Sequence, residues 1–379
     1  MKNRDVVIIG GGVNGLSIAY NLMKSDPSLK VTLLEKGYIS SGSTGKCGGG
    51  LRTQFTTRES CDIALKSIRI FENLNEELEE DIELRKCGYL ILAHSEGELS
   101  EFRNNVKIQN SIGVPSRILG EEEIKNSLPA AGGTFVGAEF CGIDGVANPF
   151  KTSFAFRDRA NSMGAEMITH CEAKNIEHRD ERFFVKTKTE EFSSEFLVNA
   201  AGMNSGEIAA SLGINLPVKP YKHEIFATEV VDHFLDPMVI SFSENFYISQ
   251  TMRGELVGGY SPPDLNSGGD LTPTFDFLLD ALGRIAHYIP EIRSLKLLRH
   301  WAGNYDVTPD AMPILGEVEN IKGFIQANGF SGHGFMLSPF VGRAIASLIT
   351  GKDEFSDTLK NFSLGRFKDG IIRERAVVG

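Results

Sequence analysis

Cysteine is scarce in this chain of 379 residues, and the five that occur are widely spaced. Their number is odd and none belongs to a Cys-x-x-Cys pair, so neither a disulfide framework nor a zinc site is expected. We accordingly predict no metal-binding residues and a reducing, cytoplasmic environment. The five cysteines are Cys47, Cys61, Cys87, Cys141 and Cys171.

Long apolar runs and excess positive charge are also lacking. Residues 6–9 are apolar, but they lead directly into glycines and no cleavage site follows, so no signal peptide is predicted. No apolar stretch approaches the roughly 20 residues that cross a bilayer, so no integral membrane segment is expected. With 39 Lys and Arg against 50 Asp and Glu, the net charge of -11 argues against nucleic acid as a partner. Small anionic ligands stay compatible with this charge, because helix dipoles and single arginines can bind them.

A strand, a glycine-rich turn, a helix and a second strand are predicted in succession over residues 5–34. The turn has the pattern Gly-x-Gly-x-x-Gly at Gly10, Gly12 and Gly15, where glycine permits a tight turn and a close approach to pyrophosphate. Glu35, twenty residues later, can accept hydrogen bonds from a ribose diol. This pattern predicts a bound dinucleotide but does not by itself separate FAD from NAD.

Three further segments favour FAD. Residues 197–202 predict a buried strand that ends in Ala200, Ala201 and Gly202, small enough for a nucleotide to lie over them. Residues 328–335 form a glycine-rich loop before the last helix, whose N-terminus can stabilise negative charge on a reduced flavin ring. Residues 42–55 form another loop rich in glycine.

These segments together resemble the D-amino acid oxidase superfamily of flavoproteins. The loop at 42–55 resembles the flavin-ring loop of its sarcosine oxidase branch, and segments 220–224, 301–310 and 366–367 are further matches. The resemblance covers nearly the whole chain and is strongest to the β subunits of heteromeric L-proline dehydrogenases and sarcosine oxidases. It implies an α/β fold, in which a Rossmann-like FAD-binding domain carries an inserted α+β substrate domain built on a mostly antiparallel sheet.

The same resemblance divides the chain into two interleaved domains. The FAD-binding domain is expected over 1–82, 145–215 and 306–379, and the substrate domain over 83–144 and 216–305. The residues that match the family's cofactor-binding segments are Gly10, Gly12, Val13, Asn14, Gly15, Glu35, Lys36, Ser43, Thr44, Lys46, Cys47, Gly49, Gly50, Leu51, Ala173, Ala200, Ala201, Gly202, Gly303, Gly329, Gly332, His333, Gly334, Phe335 and Met336.

Departures from the family pattern refine the cofactor prediction. Gly303 stands where monomeric sarcosine oxidases carry a cysteine linked to FAD, so FAD is expected to bind non-covalently. Residues 147–150 lack the histidine to which sarcosine oxidase β subunits attach FMN, so covalent FMN is not expected. FMN held at a subunit interface is left open.

The resemblance implies an FAD-dependent dehydrogenase that oxidises the C–N bond of a small, secondary amino acid, with L-proline favoured. Hydride would pass to flavin N5 from the carbon beside an unprotonated amine, without a strong side-chain base. Residues 255–258 lack the lysine that speeds reaction with oxygen, and Met336 replaces a lysine that binds substrate carboxylate. Electrons are therefore expected to pass to a partner acceptor, and a second, different subunit is implied.

Candidate catalytic and substrate-binding residues follow from their positions in the family pattern. Arg52 is expected to clamp the substrate carboxylate, although an exposed surface arginine is the alternative. Tyr247 is expected to face the substrate and His223 to hold it, but either could simply be a packed strand residue. Trp301, Tyr305 and Met336 would complete the substrate pocket.

Two loop residues near the predicted flavin ring receive structural interpretations. His333 is expected to shape the flavin loop, because a cation is disfavoured at a helix N-terminus. Cys47 is expected to be a buried small thiol. Three rival functions stay open: a sarcosine or glycine oxidase that produces H2O2, a non-catalytic flavin-carrying subunit, and an NAD-dependent dehydrogenase without flavin.

Overall fold

The computed structural model describes residues 1–128, 132–261, 270–368 and 373–376. These residues form two large sheets, a two-stranded ladder and ten α-helices. The strands are β1 Lys2–Ile9, β2 Val31–Leu34, β3 Gly50–Leu51, β4 Tyr89–Ala93, β5 Ser116–Leu119, β6 Gly137–Cys141, β7 Gly145–Val146, β8 Glu166–Ile168, β9 Asn175–Arg179, β10 Arg182–Lys186, β11 Glu191–Asn199, β12 Lys219–Val230, β13 Met238–Ser241, β14 Phe246–Gln250, β15 Glu255–Tyr260, β16 Leu297–Val307, β17 Ile314–Glu317 and β18 Phe324–Asn328.

The helices connect and cover these strands. The α-helices are α1 Val13–Ser25, α2 Arg58–Phe71, α3 Leu74–Leu78, α4 Glu96–Ser111, α5 Glu121–Ser127, α6 Pro149–Ser162, α7 Ser205–Ala210, α8 Phe275–Tyr288, α9 Gly334–Ile349 and α10 Ser356–Asn361. Short 3-10 turns occur at Thr44–Lys46, Gly202–Asn204, Pro290–Ser294 and Leu364–Lys368. Within the described part of the chain, no helix is both long enough and apolar enough to cross a membrane.

The first sheet has a parallel core in the order β18-β11-β1-β2-β8, and β17 adds an antiparallel edge. Residues 6–9 of β1 are buried, as expected for a strand covered on both faces. Helix α1 packs between α9 and α6 over this sheet, which gives the strand-helix-strand arrangement predicted from the glycine pattern. Strands β9 and β10 form a hairpin that pairs with the start of β11.

The second sheet runs in the order β16-β12-β15-β14-β13-β4-β6-β5 and is antiparallel except between β13 and β4. Helix α8 packs on it through residues four apart, including Phe277, Ala281 and Ile285, all of them buried. The side chain of Thr274 caps this helix by accepting a hydrogen bond from the Phe277 N–H. The predicted mostly antiparallel second sheet is therefore present.

Each sheet is assembled from segments far apart in the sequence. Strands of the first sheet lie within 2–34, 166–199 and 314–328, and those of the second within 89–141 and 219–307. The domain limits proposed from the sequence at 82, 144, 215 and 305 stay a prediction. Parts of those domains, at 129–131, 262–269, 369–372 and 377–379, lie outside the described residues.

One local prediction was wrong. The sequence predicts a strand at about 87–93 followed by helical stretches that run to about residue 127, but β5 lies between α4 and α5. Ser116–Leu119 is only one short strand, and its conformation is set by pairing with β6, about twenty residues further along. Such non-local pairing leaves little trace in local periodicity.

Candidate functional site

A cleft of about 270 Å³ opens at the carboxyl ends of the parallel strands β1, β2 and β11. Ligand sites in open α/β sheets lie in this position. The lining residues are Gly10, Gly12, Val13, Asn14, Glu35, Lys36, Ser41, Gly42, Ser43, Thr44, Lys46, Cys47, Ala200, Ala201, Gly202, Met203, Asn204, Asn304, Tyr305, Asp306, Ala327, Phe330, Gly332, Gly334 and Phe335.

Two glycines of the first turn are required by backbone contacts. Gly10 has a φ of +116°, and a Cβ there would lie 2.2 Å from the Ala200 carbonyl oxygen. A Cβ on Gly15 would lie 2.1 Å from the Gly10 carbonyl oxygen. Gly15 itself does not line the cleft; its lack of a side chain lets α1 begin close against β1.

The N-termini of α1 and α9 meet at this cleft. Helix α1 begins after Gly12, which offers no side-chain cap, and the Val13 N–H donates to the Thr44 hydroxyl over 3.1 Å. The Asn14 side-chain amide donates to the Gly334 carbonyl over 3.1 Å and so joins the two helix starts. Neither helix has an acidic residue in its first turn. The positive ends of both dipoles therefore favour a negatively charged ligand in the cleft.

Glu35 is held at the far end of the cleft by two backbone donors. Its carboxylate accepts hydrogen bonds from the Gly11 N–H at 2.7 Å and the Gly37 N–H at 2.6 Å. Both contacts leave acceptor capacity for a ribose diol. Nearby, the Lys36 ammonium donates to the Asn204 side chain over 2.8 Å.

These features fit FAD. Two buried side-chain oxygens in the lining, Asn14 Oδ1 and Asn304 Oδ1, have no hydrogen-bond partner among the described residues. Together with the glycine cradle, the two helix N-termini and the carboxylate of Glu35, they offer what a dinucleotide with amide-like ring edges requires. The residues that would hold it therefore come from both ends and the middle of the chain.

A smaller cavity of about 80 Å³ adjoins the cleft where the flavin ring is expected. It is built by the loop around β3, the start of β4, strands β13 and β14, and the start of α9. Its lining residues are Cys47, Gly48, Gly49, Gly50, Arg52, Tyr89, Met238, Ile240, Tyr247, Tyr305, Ser331, Gly332, His333, Phe335 and Met336. Arg52, Tyr247, Tyr305 and Met336 of the predicted substrate pocket thus share one cavity.

Arg52 is buried in this cavity, with 3% of its surface exposed, which rules out the surface alternative. Its guanidinium donates from Nη1 to the Gln54 carbonyl at 2.5 Å and from Nη2 to the Ala376 carbonyl at 2.6 Å. Nη2 also lies 3.2 Å from Nε2 of His333. Three of the five guanidinium N–H groups are thereby engaged, and two are left for another acceptor.

His333 acts as the acceptor in its contact with Arg52. Burial, with a further contribution from the positive charge of Arg52, holds the pKa of His333 well below its usual value. The imidazole is therefore neutral, and Nε2 accepts from the guanidinium. A neutral ring also suits its place just before the first residue of α9.

Three tyrosines wall the ring cavity. Loss of water contact raises the pKa of Tyr305 to about 12 and raises the pKa values of Tyr89 and Tyr247 well above their usual value. All three hydroxyls therefore stay protonated and can donate hydrogen bonds. A Cβ on Gly259, which pairs with Tyr247, would lie 2.6 Å from the ring of that tyrosine.

Two predicted pocket residues lie elsewhere. His223 lines neither cavity but stacks behind Tyr305, with 3.7 Å between ring centroids, and its Nδ1 lies 2.9 Å from the Ser261 hydroxyl. Burial lowers the pKa of His223 to about 3, so the ring is neutral. Trp301 lines a separate cavity of about 240 Å³ and donates from Nε1 to the Lys46 carbonyl over 3.1 Å.

Several predicted cofactor residues also lie outside the cleft and the ring cavity. Gly303 packs against the Lys46 side chain from β16, and the Gly329 N–H donates to the Asp306 carboxylate over 2.8 Å. Leu51 is buried in one of the two apolar cores that flank the first sheet, and Ala173 packs against the other. None of these four residues is among the lining of the cleft or the ring cavity, and their part in holding the cofactor stays a prediction.

Cys47 lies where the three cavities meet, since it lines the cleft, the ring cavity and the 240 Å³ cavity. Burial raises the pKa of its thiol to about 11, so the sulfur stays protonated. The loop that contains Cys47 therefore separates the cofactor cleft from the 240 Å³ cavity.

Sequence reasoning missed part of each lining. Asn304 lies within a segment that resembles the family, and Asp306 lies directly beside it. That resemblance could therefore have identified both as residues of the cleft. Tyr89, Met238 and Ile240 come from β4 and β13, and nothing in their local sequence distinguishes them from ordinary strand residues. Only the pairing of these two strands brings them to the ring cavity.

Comparison with known proteins settles the family. A model of the DAO family, described as FAD dependent oxidoreductase, matches residues 5–348. The chain belongs to this family. The predicted membership, the α/β architecture and FAD as cofactor are thereby confirmed.

Several members are similar over almost their entire length. The sarcosine oxidase subunit beta of Arthrobacter sp is 29% identical over 97% of this chain and 92% of its own. The crystal structure of L-proline dehydrogenase from P.horikoshii superposes with a TM-score of 0.93 at 34% identity, covering 98% of this chain and all of the other. Glycine oxidase from Geobacillus kaustophilus superposes with a TM-score of 0.89 at 27% identity, covering 97% and 99%.

Proposed function

We propose that this chain is an FAD-dependent dehydrogenase of a small, secondary amino acid, with L-proline as the favoured substrate. The observation that carries this proposal is the buried Arg52 in a small cavity beside the cofactor cleft. The similar proteins named as L-proline dehydrogenase, sarcosine oxidase subunit and glycine oxidase support a small amino acid as the substrate class.

The cavity favours a small amino acid for two reasons. A carboxylate can accept a hydrogen bond from Nε or Nη1 of Arg52, since the protein contacts of this side chain leave one N–H group free on each of these atoms. A volume of about 80 Å³, walled by Tyr247, Ile240 and Met336, leaves room only for a short or cyclic side chain. Bound FAD would supply the acceptor for the hydride that leaves the carbon beside the amine.

The substrate amine has to arrive without its extra proton. The described lining of the ring cavity includes no carboxylate, and His333 is already engaged by Arg52. The side chains therefore orient the substrate and exclude water, and they do not remove the proton. We expect the rate of cofactor reduction to rise with pH until the substrate amine is fully neutral.

A partner subunit and a second cofactor belong to the same proposal. The 240 Å³ cavity shares Cys47 with the cofactor cleft and carries Arg253 and Arg299 together with Glu83 and Glu255. Exposed apolar side chains, Met252 and Phe150, lie in its lining. We infer that electrons leave on this side, to FMN at a subunit contact or to another acceptor. Acid release and quantitation of FAD and FMN from the purified assembly would test the FMN assignment.

The test of the main proposal is anaerobic mixing of the FAD-loaded protein with L-proline while flavin absorbance is followed. Rapid loss of absorbance that persists after air is admitted supports a proline dehydrogenase with a partner acceptor. Loss with sarcosine or glycine alone, or formation of H2O2 in air, supports the oxidase alternative. No reduction by any of the three contradicts catalysis by this chain alone and supports a flavin-carrying subunit.

A further inference from the structure

A fourth cavity, of about 140 Å³, lies on the side of Arg52 away from the ring cavity. Its lining includes Gln54 and Ala376, whose carbonyl oxygens accept from the guanidinium. It also includes Phe55 and Phe242, whose ring centroids lie 4.4 and 5.7 Å from the guanidinium carbon. The contacts of one arginine therefore separate this space from the proposed substrate site. We call it the outer cavity.

The outer cavity leads from the surface to buried polar groups. Glu101, Ser243 and Arg375 are exposed at its mouth. Gln109 and Glu139 lie inside with only 1% and 2% of their surface exposed. Polar side chains so deeply buried are expected to have their hydrogen bonds satisfied.

The buried polar group formed by Gln54, Gln109 and Glu139 has more hydrogen-bond acceptors than donors to fill them. The Glu139 Oε1 atom accepts from the side-chain amides of Gln54 at 3.1 Å and Gln109 at 2.8 Å. Those contacts orient both amides, because each NH₂ group must face the carboxylate. The amide oxygens of Gln54 and Gln109 are then left buried, with no partner among the described residues. A proton on Glu139 could satisfy one of the two oxygens and never both.

The described lining of the outer cavity also carries more acidic than basic side chains. Glu98, Glu101 and Glu139 are acidic, and Arg375 at the mouth is the basic residue among the described lining. Burial raises the pKa of Glu139 to about 7, against the opposing effect of the two amide donors and Arg52. A cation beside this carboxyl would favour its ionised form. The missing partner is therefore both a hydrogen-bond donor and a positive charge.

We propose that the outer cavity binds the ammonium group of a small protonated amine, at a site separate from the one over the flavin. A primary ammonium carries three N–H donors, which match the two amide oxygens and the carboxylate of Glu139. Water could donate to two of these acceptors but would bring no positive charge to the buried carboxylate beyond that of Arg52.

The test is calorimetric titration of the FAD-loaded protein with methylammonium chloride, above about pH 8 so that the Glu139 carboxyl is ionised. Tetramethylammonium chloride is the matched salt, since it carries the same charge without N–H donors. We expect saturable binding of methylammonium only, with no change in flavin absorbance. Glu139→Gln and Gln109→Met should each weaken that binding by about tenfold or more, as expected for hydrogen bonds to a charged group.

The control is Glu101→Gln, which removes the same unit of charge from the exposed mouth and should change the affinity by less than about threefold. Retained flavin absorbance shows that each variant is folded and loaded. The proposal is overturned if methylammonium does not bind saturably, if tetramethylammonium binds equally, or if both buried-site variants bind as the wild type does. Binding accompanied by a flavin spectral change would also overturn it, because the ligand would then lie at the ring.

Discussion

Replacing Glu139 by Gln should make the protein more stable at high pH and leave it little changed in acid. The buried carboxyl has a pKa of about 7 in the folded chain, against 4.5 for the ordinary group. Between these values the folded chain binds more protons than the unfolded chain, so the contribution of Glu139 to stability falls as pH rises. This difference in pKa, at roughly 1.4 kcal/mol for each tenfold change in proton affinity, gives at most about 3.5 kcal/mol.

The amide introduced by Glu139→Gln has no proton to lose and therefore removes this pH-dependent penalty. The variant should gain stability over the wild type from about pH 5 up to about pH 7, and the difference should then level off. Asp144, whose pKa burial also raises to about 7, titrates in both proteins. Because the charge of Glu139 also contributes to the raised pKa of Asp144, the difference between the two curves reports Glu139 together with its coupling to Asp144.

Urea unfolding at a series of pH values, with the same saturating FAD concentration throughout, measures this difference. Glu101→Gln serves as the control, because its exposed carboxyl should give a nearly flat difference from wild type. If the Glu139→Gln difference were flat with pH, or shrank as pH rose, the assignment of a raised pKa to this buried carboxyl would be refuted.

Three further changes probe the cofactor and substrate sites. Arg52→Lys keeps the charge but loses the paired guanidinium donors, so the KM of amino acid substrates in anaerobic flavin reduction should rise about 100-fold; an unchanged KM would contradict the carboxylate role. Gly10→Ala should abolish FAD retention on purification, because its Cβ would lie 2.2 Å from the Ala200 carbonyl oxygen. The buried carboxylate of Glu374 accepts hydrogen bonds from the backbone N–H groups of Thr56 and Thr57. In Glu374→Gln an amide NH₂ would face one of these donors, so the free energy of unfolding in urea should fall by about 2 kcal/mol. The same variant should raise KM, because the segment that brings Ala376 to Arg52 is anchored there; full FAD content with normal KM would contradict that link.

Local sequence was sufficient for the part of the cofactor cleft that the first strand-helix-strand unit builds, because the determinants of that part are local. The turn at Gly10 and Gly15 and the acid at Glu35 follow from backbone sterics and from the length of one strand-helix-strand unit. Arg52 and Tyr247 could be placed near the flavin only through family resemblance. Their shared cavity depends on the pairing of β13 with β4 and on the start of α9.

The environment of Arg52 could not be predicted. The Ala376 carbonyl reaches it from a residue more than 300 positions away, and a backbone oxygen carries no sequence signal. Glu139 carries no distinguishing signal in the sequence, and its pKa is raised only by burial in the folded chain, against the opposing effect of the amides of Gln54 and Gln109. Burial of polar groups is a property of tertiary packing and not of composition.

The interleaving of the first sheet has a consequence for biosynthesis. Strand β1 pairs with β11, which pairs in turn with β18, and the cleft also needs the start of α9 at Gly334. A nascent chain must therefore be extended past that residue before it can acquire FAD. One edge of β1 is unpaired until β11 has been made, and one edge of β11 is then unpaired until β18 follows; such apolar edges are prone to association with other chains. We expect this stage of translation to depend on chaperones, and abundant FAD cannot shorten it.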